Sequence, residues 1–482
     1  MGFKTGGNKI SKFADLVNPE EHIEDEGWPT EDPNLRKRVI YGIYDEIPMV
    51  KAIPLGIQHV LTMFGLTTLI PILIAQGVGL DAQQTGALLA TVYFVMGVAT
   101  IVQLTIGSRL PIVQGSSASF VSPFLAIASQ VQGGALVAMQ YISGALIGGG
   151  LVEFVLGYGN VIRYVKRLFT PQVTAPTIMM IGLSLYQPTM NNASSYWPVA
   201  IITLLIVLAM EFISPRTRMV AVIVGIIISW IISGAGAAAG VFPSQAAVNL
   251  APVGEAPWIM PPEPFRWGVP KFKIGFVLVG LAGYLASMIE SVGDYHAVST
   301  AAGCKDPDST QVTRGIGAEG LGGIISGIFG GVGTTSYTEN IGVVGLTGVA
   351  ARVVVAIGSV VLILLGVIRK FGVMIATLPT PVVGGVYIIM FATIAGVGAQ
   401  HLNKIDMTKP RNYTILGLAL LLGIGIPYYV GGNPIDFQPV WLSDILQSIA
   451  STGMAVGALT AMVLDNLLPE VMTEEEIEKR NQ

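Results

Sequence analysis

The sequence predicts an all-α membrane protein with fourteen transmembrane segments in a seven-plus-seven inverted repeat. Three observations predict it: charge is scarce, apolar runs of membrane length recur along the chain, and positive charge falls on alternate loops. Of 482 residues, 52% are hydrophobic and only 12% are charged, with a mean hydropathy of +0.67. A soluble domain carries about 25% charged residues because its surface has to be solvated; a lipid-facing surface removes that need. The 59 glycines would be costly in water-soluble helices, but small residues let membrane helices approach closely.

A membrane helix needs about 20 mostly apolar residues. On that length, spans are predicted at 52–76, 85–107, 114–130, 134–157, 172–188, 196–212, 219–239, 275–302, 316–331, 339–351, 353–369, 377–399, 412–430 and 442–465. The third and tenth are short, broken by Gly, Ser or Thr, and preceded by polar stretches. With the N-terminus inside, 21 of the 26 Lys and Arg residues fall inside, and only Arg266, Lys271, Lys273, Arg369 and Lys370 fall outside. That is the positive-inside asymmetry, and an error of one span would scramble it. An odd number of spans in each half forces the second half to run upside down. The expected organisation is a cytoplasmic tail over 1–50, repeats over 51–240 and 274–468 separated by an extracytoplasmic loop over 241–273, and a cytoplasmic tail over 469–482. No apolar core of signal-peptide type lies near Met1, so the first span is expected to act as an uncleaved signal in a multi-pass protein of the cell membrane, with both termini cytoplasmic.

A net charge of −4 gives no reason to expect a nucleic-acid partner, and the single cysteine, Cys304, allows neither an intramolecular disulfide nor a zinc pattern. No G-x-x-x-x-G-K-[ST] run occurs, which argues against direct ATP drive within the chain. With four histidines and no metal-ligand cluster or nucleophile–base set, neither an enzyme nor a bound cofactor is expected. Paired broken segments in corresponding positions of two halves are instead the sequence mark of a transporter site, because exposed backbone groups there can face a polar ligand as lipid would not permit. The two breaks are Gly115–Pro123 and Gly330–Asn340.

A charge at mid-bilayer costs about 2.5–3.5 kcal/mol on insertion scales and marks a functional site by default. Four acids qualify: Glu290, Asp294, Glu319 and Glu339. Glu290 and Asp294 are four residues apart and share a helix face. No Lys or Arg lies inside the segments holding Glu290 and Glu339, so simple charge pairing explains them poorly. His59 follows Gln58 deep in the first apolar run; a lone buried histidine is as often a hydrogen-bonded structural residue as a ligand. Gln187 and Glu211 sit near predicted helix ends, where a headgroup position suits them. Glu153 is ambiguous.

In chain order the sequence carries Gln58-His59, Gln114-Gly115-Ser116-Ser117 before Pro123, Glu290-Ser291-Val292-Gly293-Asp294, Ala318-Glu319-Gly320, and Glu339-Asn340-Ile341-Gly342 followed by Thr347-Gly348. Each alone is weak, but the ordered set resembles the nucleobase–ascorbate transporters, the second class of nucleobase–cation symporters, over about 50–465. The resemblance implies a core domain (spans one to four and eight to eleven), a gate domain (five to seven and twelve to fourteen), and a short strand opening spans three and ten. It places substrate-binding carboxylates at Glu290 and Glu339, backbone contacts at about Ala118 and Thr338, and His59 and Asn340 as binding or orienting residues. Asp294 and Glu319, with Glu290, match positions linked to cation coupling. A homodimer through the gate is a further implication.

The chemistry fits that transfer. A nucleobase edge alternates N–H donors and carbonyl acceptors, which carboxylates and strand N–H groups can satisfy away from water. Phe120 or Tyr337 could stack on its face. Two carboxyls facing one small site cannot both ionise cheaply, so proton symport with alternating access is the expected mechanism, Na⁺ being the alternative coupling ion. The Glu-Asn pair in span ten favours uracil or xanthine over ascorbate. The competing class is an anion exchanger of the sulfate-transporter architecture, which generally lacks an acidic pair at its site and adds a soluble C-terminal domain, whereas only Pro469–Gln482 follow the last span here.

Overall fold

Backbone polar groups inside a bilayer must be satisfied within the segment that carries them, and helices do this at every residue. The computed structural model describes residues 39–159 and 170–469, and nearly all of its regular structure is helical. The tail residues before Val39, Arg163, Lys166 and Arg167, and the residues after Pro469 lie outside the described residues. In chain order the elements are α1 (Met49–Val78), α2 (Ala82–Thr105), β1 (Gln114–Ser116), a 3-10 turn (Ala118–Phe120), α3 (Val121–Gln130), α4 (Ala135–Tyr158), α5 (Pro171–Leu183), α6 (Tyr186–Ser194), α7 (Trp197–Ile213) and α8 (Ala221–Ala238). After the longest connection come α9 (Ile274–Ala301), α10 (Ser309–Phe329), β2 (Thr334–Ser336), α11 (Thr338–Thr347), α12 (Arg352–Val367), α13 (Arg369–Ala376), α14 (Thr380–Gln400), α15 (Pro410–Gly432), α16 (Val440–Ala450) and α17 (Gly453–Leu467).

Among the described residues seven helices are long and apolar enough to cross a membrane, or up to nine if each of two bent pairs counts as one span. One bent pair is α5–α6 with α7, at 117°. The other departs from expectation: 442–465 was predicted as one continuous span, but the chain turns by 98° between α16 and α17. The reason is visible in α16, whose polar residues are spent on neighbouring helices. Asp444 pairs with Lys273 at 2.8 Å, and Ser448 Oγ donates to Gln130 Oε1 of α3 at 3.1 Å. These groups hold α16 against the start of α9, while Thr452, in an extended conformation, lets α17 turn away.

The helices fall into two packing groups. One joins α1, α2, α4, α9, α10 and α12, with α4 against α10 and α2 against α12 as its tightest seams; the other joins α5, α6, α7, α8, α14, α15 and α17. In lipid, close van der Waals approach drives helix association, and α4 and α10 reach it through glycine. A Cβ on Gly157 would lie 2.2 Å from the Gly317 nitrogen, and one on Gly320 would lie 2.4 Å from the Phe154 nitrogen. The first group carries the site.

Candidate functional site

The two broken segments meet. β1 and β2 pair antiparallel, with Gln114 opposite Ser336, Gly115 opposite Thr335 and Ser116 opposite Thr334, and all six residues are buried. Each strand runs straight into a short helix, so two helix beginnings converge beside the ribbon. Glycine at 115 is required by Tyr337: a Cβ there would lie 2.3 Å from the Tyr337 ring carbon that bears the hydroxyl. Tyr337 donates from that hydroxyl to the Ser116 carbonyl at 2.8 Å and accepts from Thr67 of α1 at 3.2 Å.

The first N–H groups of a helix have no intrahelical acceptor. In α11, Tyr337 supplies no capping side chain, and Thr338 and Glu339 line a cavity of about 660 Å³ whose other walls come from α1, α8 and α14. Glu211 of α7, with Pro215 and Arg218 just after it, also lines the cavity. An uncapped N-terminal turn facing a cavity offers donors to an oxygen-bearing ligand, and the Glu339 carboxylate beside it offers an acceptor. Both Thr338 and Glu339 are exposed to this space, and Ala118, on the 3-10 turn after β1, is half-buried.

Glu290 is half-buried on α9 and makes no hydrogen bond or ion pair with a described residue. Its charge is felt alongside those of Asp294, Glu339 and Glu319, which brings all four predicted acids into one electrostatic neighbourhood. The neighbours of Glu290 along α9, Ile289, Val292, Gly293 and His296, line a second cavity of about 440 Å³ against Pro171 and Thr174 of α5.

Asp294 and Glu319 are held differently from Glu290. Asp294 accepts from Ser336 Oγ at 2.7 Å and from Thr338 Oγ1 at 2.8 Å, joining α9 to β2 and the first turn of α11. Glu319 accepts from Ser287 at 2.7 Å, Ser291 at 2.5 Å and Tyr295 at 3.5 Å. The Ser336 and Ser291 hydroxyl oxygens lie 2.9 Å apart, so a row of polar contacts runs from Glu319 to Asp294 and on to the cavity wall at Thr338. Asp294→Ala should therefore free Thr338 and the start of α11. Hydrogen bonds to charged groups contribute about 1.5–3 kcal/mol each, so equilibrium ligand binding by the purified protein should weaken at least about ten-fold.

His59 is buried on α1, and Asn340 Nδ2 lies 3.0 Å from both its Nδ1 and its carbonyl oxygen. That bond makes Nδ1 the acceptor and leaves the ring proton on Nε2. It also ties α1 to α11 directly behind Glu339. The two aromatic rings offered for stacking are placed otherwise. Tyr337 is 2% exposed and braces the ribbon, while Phe120 is fully buried, edge-on to Tyr284 at 4.7 Å. Neither lines the larger cavity, because strand pairing turns both rings into the protein.

Sequence reasoning missed Ser287, Ser291, Ser336, Thr338 Oγ1 and the Tyr295–Gln103 pair, whose hydroxyl and amide lie 2.6 Å apart. The signal was present for two of them: Ser287 and Ser291 are four apart on α9, one position round from the Glu290–Asp294 pair.

The Xan_ur_permease model, described as a permease family, matches residues 50–431. Mouse solute carrier family 23 member 2 is 32% identical over 531 residues, covering 99% of this chain and 81% of that protein. Arabidopsis thaliana nucleobase-ascorbate transporter 2 is 30% identical, covering 94% of this chain and 92% of its own length. Among solved structures, the transmembrane domain of a cyanobacterial bicarbonate transporter, BicA, aligns with a TM-score of 0.55 at 15% identity, over 84% of this chain and 98% of that one. The murine Slc26a9 anion transporter in its inward-facing state aligns at 0.57 and 11% identity, over 98% of this chain and 77% of that one. At these identities the two structures are alike in fold alone.

Proposed function

The chain belongs to the nucleobase–ascorbate transporter family of permeases, a family of multi-pass membrane transporters and not of enzymes, and from that premise we propose that it imports uracil or xanthine by proton symport. The observation that carries this reading is the bond from Thr338 Oγ1 to Asp294, four residues along α9 from Glu290, at 2.8 Å, beside Glu339 at an uncapped helix start that faces a cavity. Carboxylates accept from the ring N–H groups, and the free N–H groups at Thr338 and Ala118 donate to the ring carbonyls. Glu290 and Glu339 grip the base; His59 and Asn340 orient α11 behind it; Asp294, Glu319 and Glu290 couple binding to the proton. Phe120 and Tyr337 then serve by bracing the strands, and a stacking role would need them to leave the positions they hold.

The same reading takes the two packing groups as core and gate, and the fourteen segments as two inverted sevens. Matching local signals support the repeat. The second helix of each half, α2 and α10, opens with an Asp-x-x-Gln capping box, the third element of each is a strand followed by a short helix, and α5 and α14 each begin at Thr-Pro. The core rocks against the gate to alternate access. A cell-membrane location with cytoplasmic termini, and a homodimer through the gate, follow from the same premise.

A second reading has ascorbate as the substrate and Na⁺ as the coupling ion, because the plant relatives are named for both nucleobases and ascorbate. A competition panel of uracil, xanthine, guanine, urate and ascorbate on the purified protein separates the two. Uracil or xanthine should displace a bound nucleobase at the lowest concentration, and uptake into proteoliposomes should follow a pH gradient. Tighter binding of ascorbate, or uptake that needs Na⁺ and ignores pH, rejects the first reading. The anion-transporter fold neighbours share the architecture, but a site walled by carboxylates repels anions.

A further inference from the structure

Glu153 sits within α4 with no exposed surface. Among the described residues neither of its carboxylate oxygens has a hydrogen-bond donor, and no cation pairs with it. The titratable groups that face it come from α10 and α9. α10 presses its Gly320 backbone against the residue, where an added Cβ would lie 3.0 Å from the Glu153 carbonyl carbon. From α10 the facing charge is Glu319. From α9 come the Tyr284 and Tyr295 hydroxyls, both within reach of the Glu153 and Glu319 charges. The Tyr284 hydroxyl is spent on the Leu146 carbonyl at 2.8 Å, and the Tyr295 hydroxyl is shared between Gln103 and Glu319.

Two neighbouring acids thus have opposite surroundings. Glu319 is met by hydroxyl donors from Ser287, Ser291 and Tyr295, the setting of an ionised carboxylate. Glu153 is met by none, and an unpaired, undonated charge in an apolar interior is unsustainable. Only the neutral acid suits that place. We infer that Glu153 is a proton-binding residue, that it shares a single negative charge with Glu319, and that this buried pair carries the coupling proton. A proton drawn from water on the side where substrate enters adds to the pair and makes both acids neutral; its return to water on the other side restores the single charge. When Glu319 gains the proton, the Ser291 hydroxyl is released to turn toward Ser336 Oγ, 2.9 Å away, whose own O–H stays on Asp294, and the change reaches Thr338 at the cavity wall through Asp294. This rests on the proton-coupled reading above and adds to it a residue lying apart from the base.

The test uses the full chain in proteoliposomes with radiolabelled uracil or xanthine. Glu153→Gln should keep substrate counterflow, which needs no net proton movement, yet lose pH-driven accumulation at least about ten-fold, within the range of ordinary coupling energies, with a flattened pH profile. Glu153→Asp, which keeps the acid, should restore part of the accumulation. Infrared difference spectroscopy on the wild-type protein needs no variant: substrate addition should perturb a protonated-carboxyl band whose intensity follows pH. Wild-type pH dependence in Glu153→Gln, or the absence of such a band, overturns the inference while leaving proton symport standing. If the wild-type protein itself ignores the pH gradient, the coupling reading falls first.

Discussion

Glu290→Gln should cut uptake of the proposed nucleobase substrate sharply and leave the protein folded. The side chain is half-buried and tied to no described neighbour, so its replacement breaks no internal bond, and glutamine keeps its volume. What changes is chemistry at the ligand. A carboxylate presents acceptors alone, whereas an amide turns one of them into a donor aimed at a ring N–H. A site built to hydrogen-bond its substrate loses about four to five orders of magnitude in discrimination when a partner is removed, and a half-exposed group loses less. Uptake should therefore fall at least about a hundred-fold, with binding falling in parallel and the thermal midpoint of the purified protein unmoved. Glu339→Gln should fall in the same direction, since Glu339 stands exposed on the cavity wall beside the start of α11. An anion exchanger would tolerate the first change, so retained uptake of any substrate at wild-type rate rejects the nucleobase site.

Much of this site could be read from residue type and spacing. Acids without a local basic partner, set in apolar runs, are rare enough to announce themselves, and of the four so marked Asp294 and Glu319 are each held by hydroxyl donors from neighbouring segments. The Gly/Ser/Thr breaks likewise announced backbone that could not sit in lipid. Other features depend on which helices touch, and spacing along one helix is blind to that. Glu153 stayed ambiguous because its burial depends on the close packing of α4 against α10, which spacing along α4 does not reveal. Phe120 and Tyr337 looked available because their direction is set by the pairing of β1 with β2, over two hundred residues apart in sequence. The turn between α16 and α17 escaped because mean hydropathy does not register direction, and the polar residues of α16 find their partners on α3 and α9.

Gly320→Val should destabilise the α4–α10 seam strongly, and the reason bears on how the site works. The added Cβ would meet the Phe154 nitrogen at 2.4 Å and the Gly150 oxygen at 2.7 Å. Both are backbone atoms and neither can rotate away, so the two helices must separate. Overpacking of a close-packed interior costs about 1–3 kcal/mol and sometimes more, and in lipid no hydrophobic gain draws the helices back. The damage would extend past stability, because α10 carries Glu319 and α4 carries Glu153. Gly417→Ala is the matched control: nothing lies within 4 Å of its added Cβ, and it should be neutral or gain up to about 1 kcal/mol from reduced chain freedom. Fluorescence size-exclusion after graded heating reads both variants, and a Gly320→Val protein as heat-resistant as the control would disprove the tight seam. If the seam is as tight as drawn, the core moves as one rigid body, and a proton bound deep within it is felt at the substrate without any helix bending.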